Sequence, residues 1–318
     1  MTDSSEPLDH FETLPTSYEA LQDVHTTVWL PTHDKAFVED TIRQYQLMRT
    51  RGLSDSEFVT YALQNLLRRD PRHPTYEATG RWRIDRALRL AVHISSQWRL
   101  PPAPTTSSRV APVRHHDFKF DVPPVVQYWL TIESFAPEYG RLFGKHTHVL
   151  QPTGGLTLPY FAVEWRRDQK PIESAQNQIY TSGAIALYNR CLLKVERLKL
   201  TGKKWTEKHW YRLRYYGLVF NGTSYAFWCV RLRRQRLPLS PFSWTWPGCE
   251  LVELTAGNML SGPNVEHFIY WINEVHRWGV DAYGRGAKQD VEFCIKGKEQ
   301  VPASVELDPE DTDSELDD

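Results

Sequence analysis

Glu164 and Arg166 stand two residues apart near the end of an apolar run, LTLPYFAVEWRR, at 156–167. In a β-strand, residues two apart leave from the same face. A carboxylate and a guanidinium therefore emerge together with Tyr160 and Ala162, and Phe161, Val163 and Trp165 are left to pack on the other side. A carboxylate presented in this way can hold Mg²⁺, which polarises a phosphate ester and activates a water. A cation beside it can stabilise the charge that develops. The next stretch, AQNQIYTSGAIALYNR at 175–190, has the pattern of a helix. Gln176 and Tyr180 are four apart in it, hence neighbours on one face.

These side chains need elements to carry them. Phe37, Ile42, Tyr45 and Met48 predict a helix over 34–49. Ser54 and Glu57 have capping-box spacing and open a second helix, with Phe58, Leu63, Leu66 and Leu67 on its apolar side. A third is expected over 83–98, through Ile84, Leu88, Ala91 and Trp98. Residues 21–100 thus read as a helical region, and the Pro/Ser/Thr-rich 101–124 as a linker. A helix is expected at 125–135, strands at 139–150 and 157–166, and a long helix at 172–200. Asn221-Gly222 between the apolar runs 215–220 and 223–230 is a strong hairpin signal. A strand at 249–254 and an amphipathic helix carrying Val265, Phe268, Ile269, Ile272 and Val275 complete an α/β pattern.

The helix–strand–strand–strand–helix order over 125–200 resembles the core of the PD-(D/E)XK nuclease superfamily, the restriction-endonuclease-like fold. Glu164-Trp165-Arg166 sits where that family has its (D/E)-x-K, and Gln176 and Tyr180 match a Q-x-x-x-Y found after the motif in some members. Glu133 resembles the extra acidic residue that some members carry upstream. LPYFAVEWRR, NQ and GAIALYNR are also similar to the nuclease-like domain of uncharacterised fungal proteins. The resemblance implies a mixed sheet flanked by helices over 125–295, with DNA or RNA as partner. It implies a phosphodiesterase in which Glu164, helped by Glu133, holds Mg²⁺ or Mn²⁺. Arg166 would contact the scissile phosphate, while Gln176 and Tyr180 position the backbone or the attacking water.

The chain departs from the family pattern twice. The metal-binding Asp of the preceding strand has no counterpart, since no Asp or Glu occurs between Gly140 and Val163. Gln151, Thr153, His146 or His148 would have to stand in, without the negative charge that Mg²⁺ prefers. The motif lysine is Arg166, a phosphate clamp that cannot release its proton. Asp168-x-Lys170 and Asp117-Phe118-Lys119 fit the same spelling elsewhere. These departures give two further expectations: a non-catalytic nucleic-acid-binding descendant with a partly degenerate site, and a protein-interaction scaffold.

With 318 residues, 41% of them hydrophobic, and 12 Trp, the chain can bury a substantial core. A net charge of −1 conceals a basic middle, 16 Lys/Arg against 5 Asp/Glu over 164–236. Arg167, Lys170, Lys203, Lys204, Lys208, Arg212, Arg214, Arg231, Arg233 and Arg234 are its candidates for phosphate contact, with Trp205, Trp210 and Tyr215 interleaved for stacking. Residues 296–318 read as an acidic disordered tail that could meet a protein partner, and 1–20 as a disordered leader. The start lacks the basic and apolar regions of a signal peptide, and no run suits a membrane span, so an intracellular protein, nuclear or cytoplasmic, is expected. Cys191, Cys229, Cys249 and Cys294 show no C-x-x-C and read as reduced, buried thiols. His115-His116-Asp117 reads as a loop, and Glu266-His267 and Glu274-x-His276 as helix packing.

Overall fold

An unbroken apolar run such as 156–165 suits a strand covered on both faces, and all ten residues of Leu156–Trp165 are buried. The structure, a computed structural model, describes residues 27–70, 84–88, 99–102, 124–135, 139, 155–166, 171–233 and 244–298. Helix α1 (Lys35–Thr50) is capped by Asp34, whose carboxylate accepts from Phe37 N at 3.1 Å. Helix α2 (Asp55–Tyr61) starts after Ser54 and runs on into a π turn, Ala62–Leu66. Strands β1 (Ile84–Leu88), β2 (Val126–Thr131) and β3 (Leu156–Trp165) follow, then α3 (Ile172–Thr201) and the short α4 (Glu207–Arg212). Strands β4 (Arg214–Asn221), β5 (Ser224–Leu232) and β6 (Cys249–Asn258) precede α5 (Gly262–Trp278), a π segment (Gly279–Arg285) and α6 (Gly286–Lys298).

The strands form one sheet in the order β1-β2-β3-β4-β5-β6. Neighbours are antiparallel except β3 and β4, which are parallel. A parallel pair needs a crossover, and α3 supplies it. Among the described residues the fold is therefore α/β, a six-stranded mixed sheet flanked by helices. Alternation along the strands sorts the side chains into two layers. Tyr128, Phe161, Tyr216, Leu218 and Phe227 share a core with Phe268, Ile272 and Val275 of α5 and with Tyr45 and Met48 of α1. Ala162, Tyr215, Val219 and Val230 share the other with Ile179, Ala186, Leu187 and Cys191 of α3. Each large apolar side chain so buried contributes about 1.5–3 kcal/mol. All four cysteines are free and buried, as expected. Among the described residues no helix is long and apolar enough to cross a membrane.

Two glycines seat α3 on the sheet. A Cβ at Gly183 would stand 2.6 Å from Val230 Cγ2 and 2.9 Å from Tyr215 Cδ1, and one at Gly217 would overlap the Ile179 side chain. Gly183→Ala and Gly217→Ala are each expected to lower stability by about 1–3 kcal/mol through overpacking. Denaturant midpoints measure this; unchanged midpoints would mean that the helix can lift off the sheet without penalty.

The expected helices α1, α3 and α5, the Asn221-Gly222 hairpin and the strand at 249 are all present. Gly222 takes the left-handed conformation that the hairpin turn requires, with φ 56°. Two expected helices are not α-helical over their described residues. Residues 84–88 form β1, and 89–98 lie outside the described residues. Arg86 explains part of this: its guanidinium donates to the carbonyls of Leu63, at 2.7 Å, and of Leu67, tying β1 to the π turn. Residues 125–135 form β2 and a 3-10 turn, Ile132–Ser134. VQYWLT is rich in residues that suit a pleated surface, and a short apolar run does not distinguish strand from helix by period. The strand expected at 139–150 falls outside the described residues apart from Tyr139.

Candidate functional site

Glu164 lies near the C-terminal end of β3, opposite Val219 of β4, and is fully buried beneath α3. Its Oε1 accepts from the backbone N–H of Val125 at 2.7 Å, just before β2. With its amide nitrogen assigned to the side facing the carboxylate, Gln178 donates to both oxygens, at 3.0 and 2.7 Å. A second polar group lies alongside. Gln127 Nε2 donates to the Tyr215 hydroxyl at 2.9 Å, and Ser182 of α3 also bonds that hydroxyl. Burial pushes the Tyr215 phenol well above its ordinary range, and the Glu164 charge adds to the effect, so it is a neutral hydroxyl. The carboxylate thus joins the start of β2, the end of β3 and the first turns of α3.

The candidate residues separate around this point. Arg166, just beyond β3, is exposed, and its backbone N–H donates to Phe220 O at 2.8 Å. Gln176 and Tyr180 are half-buried on α3. The Tyr180 hydroxyl donates to Cys249 O at 3.3 Å, at the edge of the sheet. Two residues on a helix differ by about 200° in direction. Gln178, not Gln176, therefore looks onto Glu164. Its signal in the sequence is the polar series Gln178–Ser182 at i and i+4, directly after the motif strand.

Tyr160 does not share the face of Glu164. The β2–β3 ladder shifts register there, from Tyr128 opposite Phe161 to Trp129 opposite Pro159, and leaves Tyr160 as the extra residue. Pro159 has no N–H for the ladder, which favours a bulge at this position. Tyr160 consequently turns toward α5, where its hydroxyl meets His276 Nδ1 at 2.7 Å.

Glu133 is exposed in the 3-10 turn, not on a helix. Thr131 pairs with Leu156, at the far end of β3 from Glu164. Eight residues of strand separate the two ends, roughly 25 Å at about 3.3 Å each. The two carboxylates cannot ligate one ion. Among the described residues no group of three or more His, Cys, Asp and Glu could hold a metal. The residues present do not fit a magnesium centre built on Glu164 and Glu133.

The basic candidates collect elsewhere. Lys203 and Lys204 are exposed after α3, Arg212 is exposed at the end of α4, and Arg233 is exposed just after β5. Arg214 and Arg231 face one another across the β4–β5 ladder, and Arg231 Nε is held by Glu250 Oε1 at 2.8 Å. Lys208 belongs to α4; Arg167, Lys170 and Arg234 lie outside the described residues. Arg214 is five residues along β4 from Val219, roughly 16 Å from the level of Glu164. The basic end of the sheet and the Glu-x-Arg end are opposite ends.

Three cations of the basic middle are not at the surface. Arg190, Lys194 and Arg197 of α3 converge on Asp290 of α6, at 2.5, 3.3 and 2.9 Å, and Asp290 is fully buried. Burial alone would raise the Asp290 carboxyl, but the three cations together hold it well below the usual carboxylate range. The 4- and 3-residue spacings put them on one helical face; nothing local in the sequence identifies Asp290 as their partner. Glu274 and His276 pack inside, as expected of that helix. Glu274 is fully buried and accepts from Arg277 Nε at 2.9 Å. His276 is fully buried among Tyr128, Phe161 and Trp29.

No family model, curated protein or solved structure matches this chain.

Proposed function

We propose that this protein is a non-catalytic descendant of the PD-(D/E)XK nuclease fold that binds nucleic acid through the basic end of its sheet. The order of three strands, helix and strand, with Glu164 closing the third strand, supports the restriction-endonuclease-like reading of the core. The observation that carries the non-catalytic reading is the use of the Glu164 carboxylate. A magnesium ligand must turn an oxygen toward the ion and its waters, whereas Glu164 is buried and accepts from Val125 and Gln178. Exposed Lys203, Lys204, Arg212 and Arg233 supply phosphate contacts that need no metal.

The test incubates the purified protein with labelled single- and double-stranded DNA and RNA, with Mg²⁺ or Mn²⁺, beside Glu164→Gln. Glutamine keeps the buried volume; alanine would strand the Val125 N–H and Gln178 at about 1–3 kcal/mol each and confound the result. Expected are no cleavage by either protein and binding that weakens steeply between low and moderate salt. Cleavage by the native protein that disappears in Glu164→Gln would instead establish a divalent-dependent phosphodiesterase. Absence of binding at low salt would favour the protein-interaction scaffold.

A further inference from the structure

Trp205, Trp210, Trp228, Trp244 and Trp246 belong to one aromatic cluster on the α3 side of the sheet, toward β5 and β6. The Trp205 ring lies 5.7 Å from that of Trp210 and 6.0 Å from that of Trp244, and Trp244 is 6.4 Å from Trp246. Trp205 is buried; the other four are half-buried. A buried indole normally donates its N–H to an acceptor. Here the N–H groups of Trp205, Trp210, Trp228 and Trp244 are buried and have no hydrogen-bond partner among the described residues, so the cluster is held by ring packing.

The surroundings select the chemistry of that molecule. Lys203 and Lys204 are exposed directly before Trp205, and Arg212 is exposed two residues after Trp210; Glu207 is the one exposed acid on α4. An aromatic cage for a cation would not be rimmed by cations. Flat π faces with a positive rim match an unpaired nucleobase with its phosphates. We propose that this tryptophan cluster is a base-stacking site for single-stranded nucleic acid. It rests on the nucleic-acid reading above and deepens it. The exposed ring surfaces of half-buried Trp210 and Trp244 stack on a base, and Lys203 and Lys204 take the adjoining phosphates. A duplex hides its base faces and would use only the lysines.

The experiment titrates the full chain with an oligothymidylate of about 12 nucleotides, within the span of known single-strand sites, and with a duplex of equal length. Tryptophan fluorescence and the anisotropy of the labelled strand are read together. Expected are quenching by the single strand, tighter binding of it than of the duplex, and a loss of about 5- to 100-fold in single-strand affinity in Trp244→Ala. Trp210→Phe, which retains an aromatic core, should lose affinity for the single strand and leave that for the duplex unchanged. Lys203→Ala with Lys204→Ala should weaken both ligands and flatten the salt dependence. Salt-dependent binding without quenching, and with native affinity in Trp210→Phe, would overturn the stacking site and leave the nucleic-acid reading standing. Failure of both ligands to bind at low salt would overturn both.

Discussion

Asp290→Asn is expected to destabilise the protein by about 3–5 kcal/mol, the usual cost of removing one partner from a buried ion pair. The carboxylate is fully buried and stands among Arg190, Lys194 and Arg197, two of which are themselves buried. Asparagine preserves the shape but leaves three cations facing a neutral amide. The loss should fall on the contact between α3 and α6, so hydrogen exchange in 286–298 should rise before global unfolding. The opposite change provides the control. Burial pushes the Lys194 ammonium below its ordinary range despite Asp290 beside it. Lys194→Met removes a desolvated charge from a site with more cations than carboxylates, and is expected to be neutral or stabilising. Urea midpoints of the two variants would refute this account if Asp290→Asn matched the native protein or if Lys194→Met proved the worse of the two.

Acid is expected to unfold this protein through His276 before it reaches Asp290. Burial lowers the His276 pKa from 6.5 to about 3. Its ring is enclosed by Tyr128, Phe161 and Trp29, and its Nδ1 shares a hydrogen bond with the Tyr160 hydroxyl at 2.7 Å. Burial keeps the Tyr160 phenol far above its ordinary range, so Tyr160 remains a neutral hydroxyl throughout. Between about pH 6.5 and 3 the unfolded chain takes up a proton at this histidine and the folded one does not. Stability is therefore fully present above pH 6.5 and falls as pH drops, by about 1.4 kcal/mol per unit. The native state should be roughly 3 kcal/mol less stable at pH 4 than at pH 7 from this group alone. Asp290, with its depressed pKa, adds a further loss only below its unfolded value of 3.8. Urea unfolding from pH 7 to 4 measures the slope, and His276→Gln, which retains an acceptor for Tyr160, should flatten it. An equally steep slope in that variant would assign the acid sensitivity to other groups.

Elements whose signal is local were legible in the sequence. The long helix at 172–200, the helix around Phe268 and Ile272, and the hairpin at Asn221-Gly222 each follow from periodicity or turn chemistry within a few residues. Within the helices expected at 83–98 and 125–135, residues 84–88 and 126–131 form β1 and β2 because their neighbours in the sheet, Leu130 for Ile84 and Val163 for Val126, are distant in sequence. Pairing across such distances overrides a weak local pattern.

The candidate site divides in the same way. The sequence alone determined that a carboxylate would end an apolar strand, that a long helix would follow it, and that cations and tryptophans would alternate after that. Only the tertiary structure decided what these groups face. A bulge at Pro159 turned Tyr160 to the opposite layer, and the pitch of α3 aimed Gln178 rather than Gln176 at Glu164. The antiparallel ladder of β2 and β3 carried Glu133 to the far end from Glu164, and α6 brought Asp290 under cations that composition alone counts as surface charge. The physical reason is that residue type and spacing fix which face of its own element a side chain leaves from. The partner waiting on that face is set by register and packing between segments far apart in the chain.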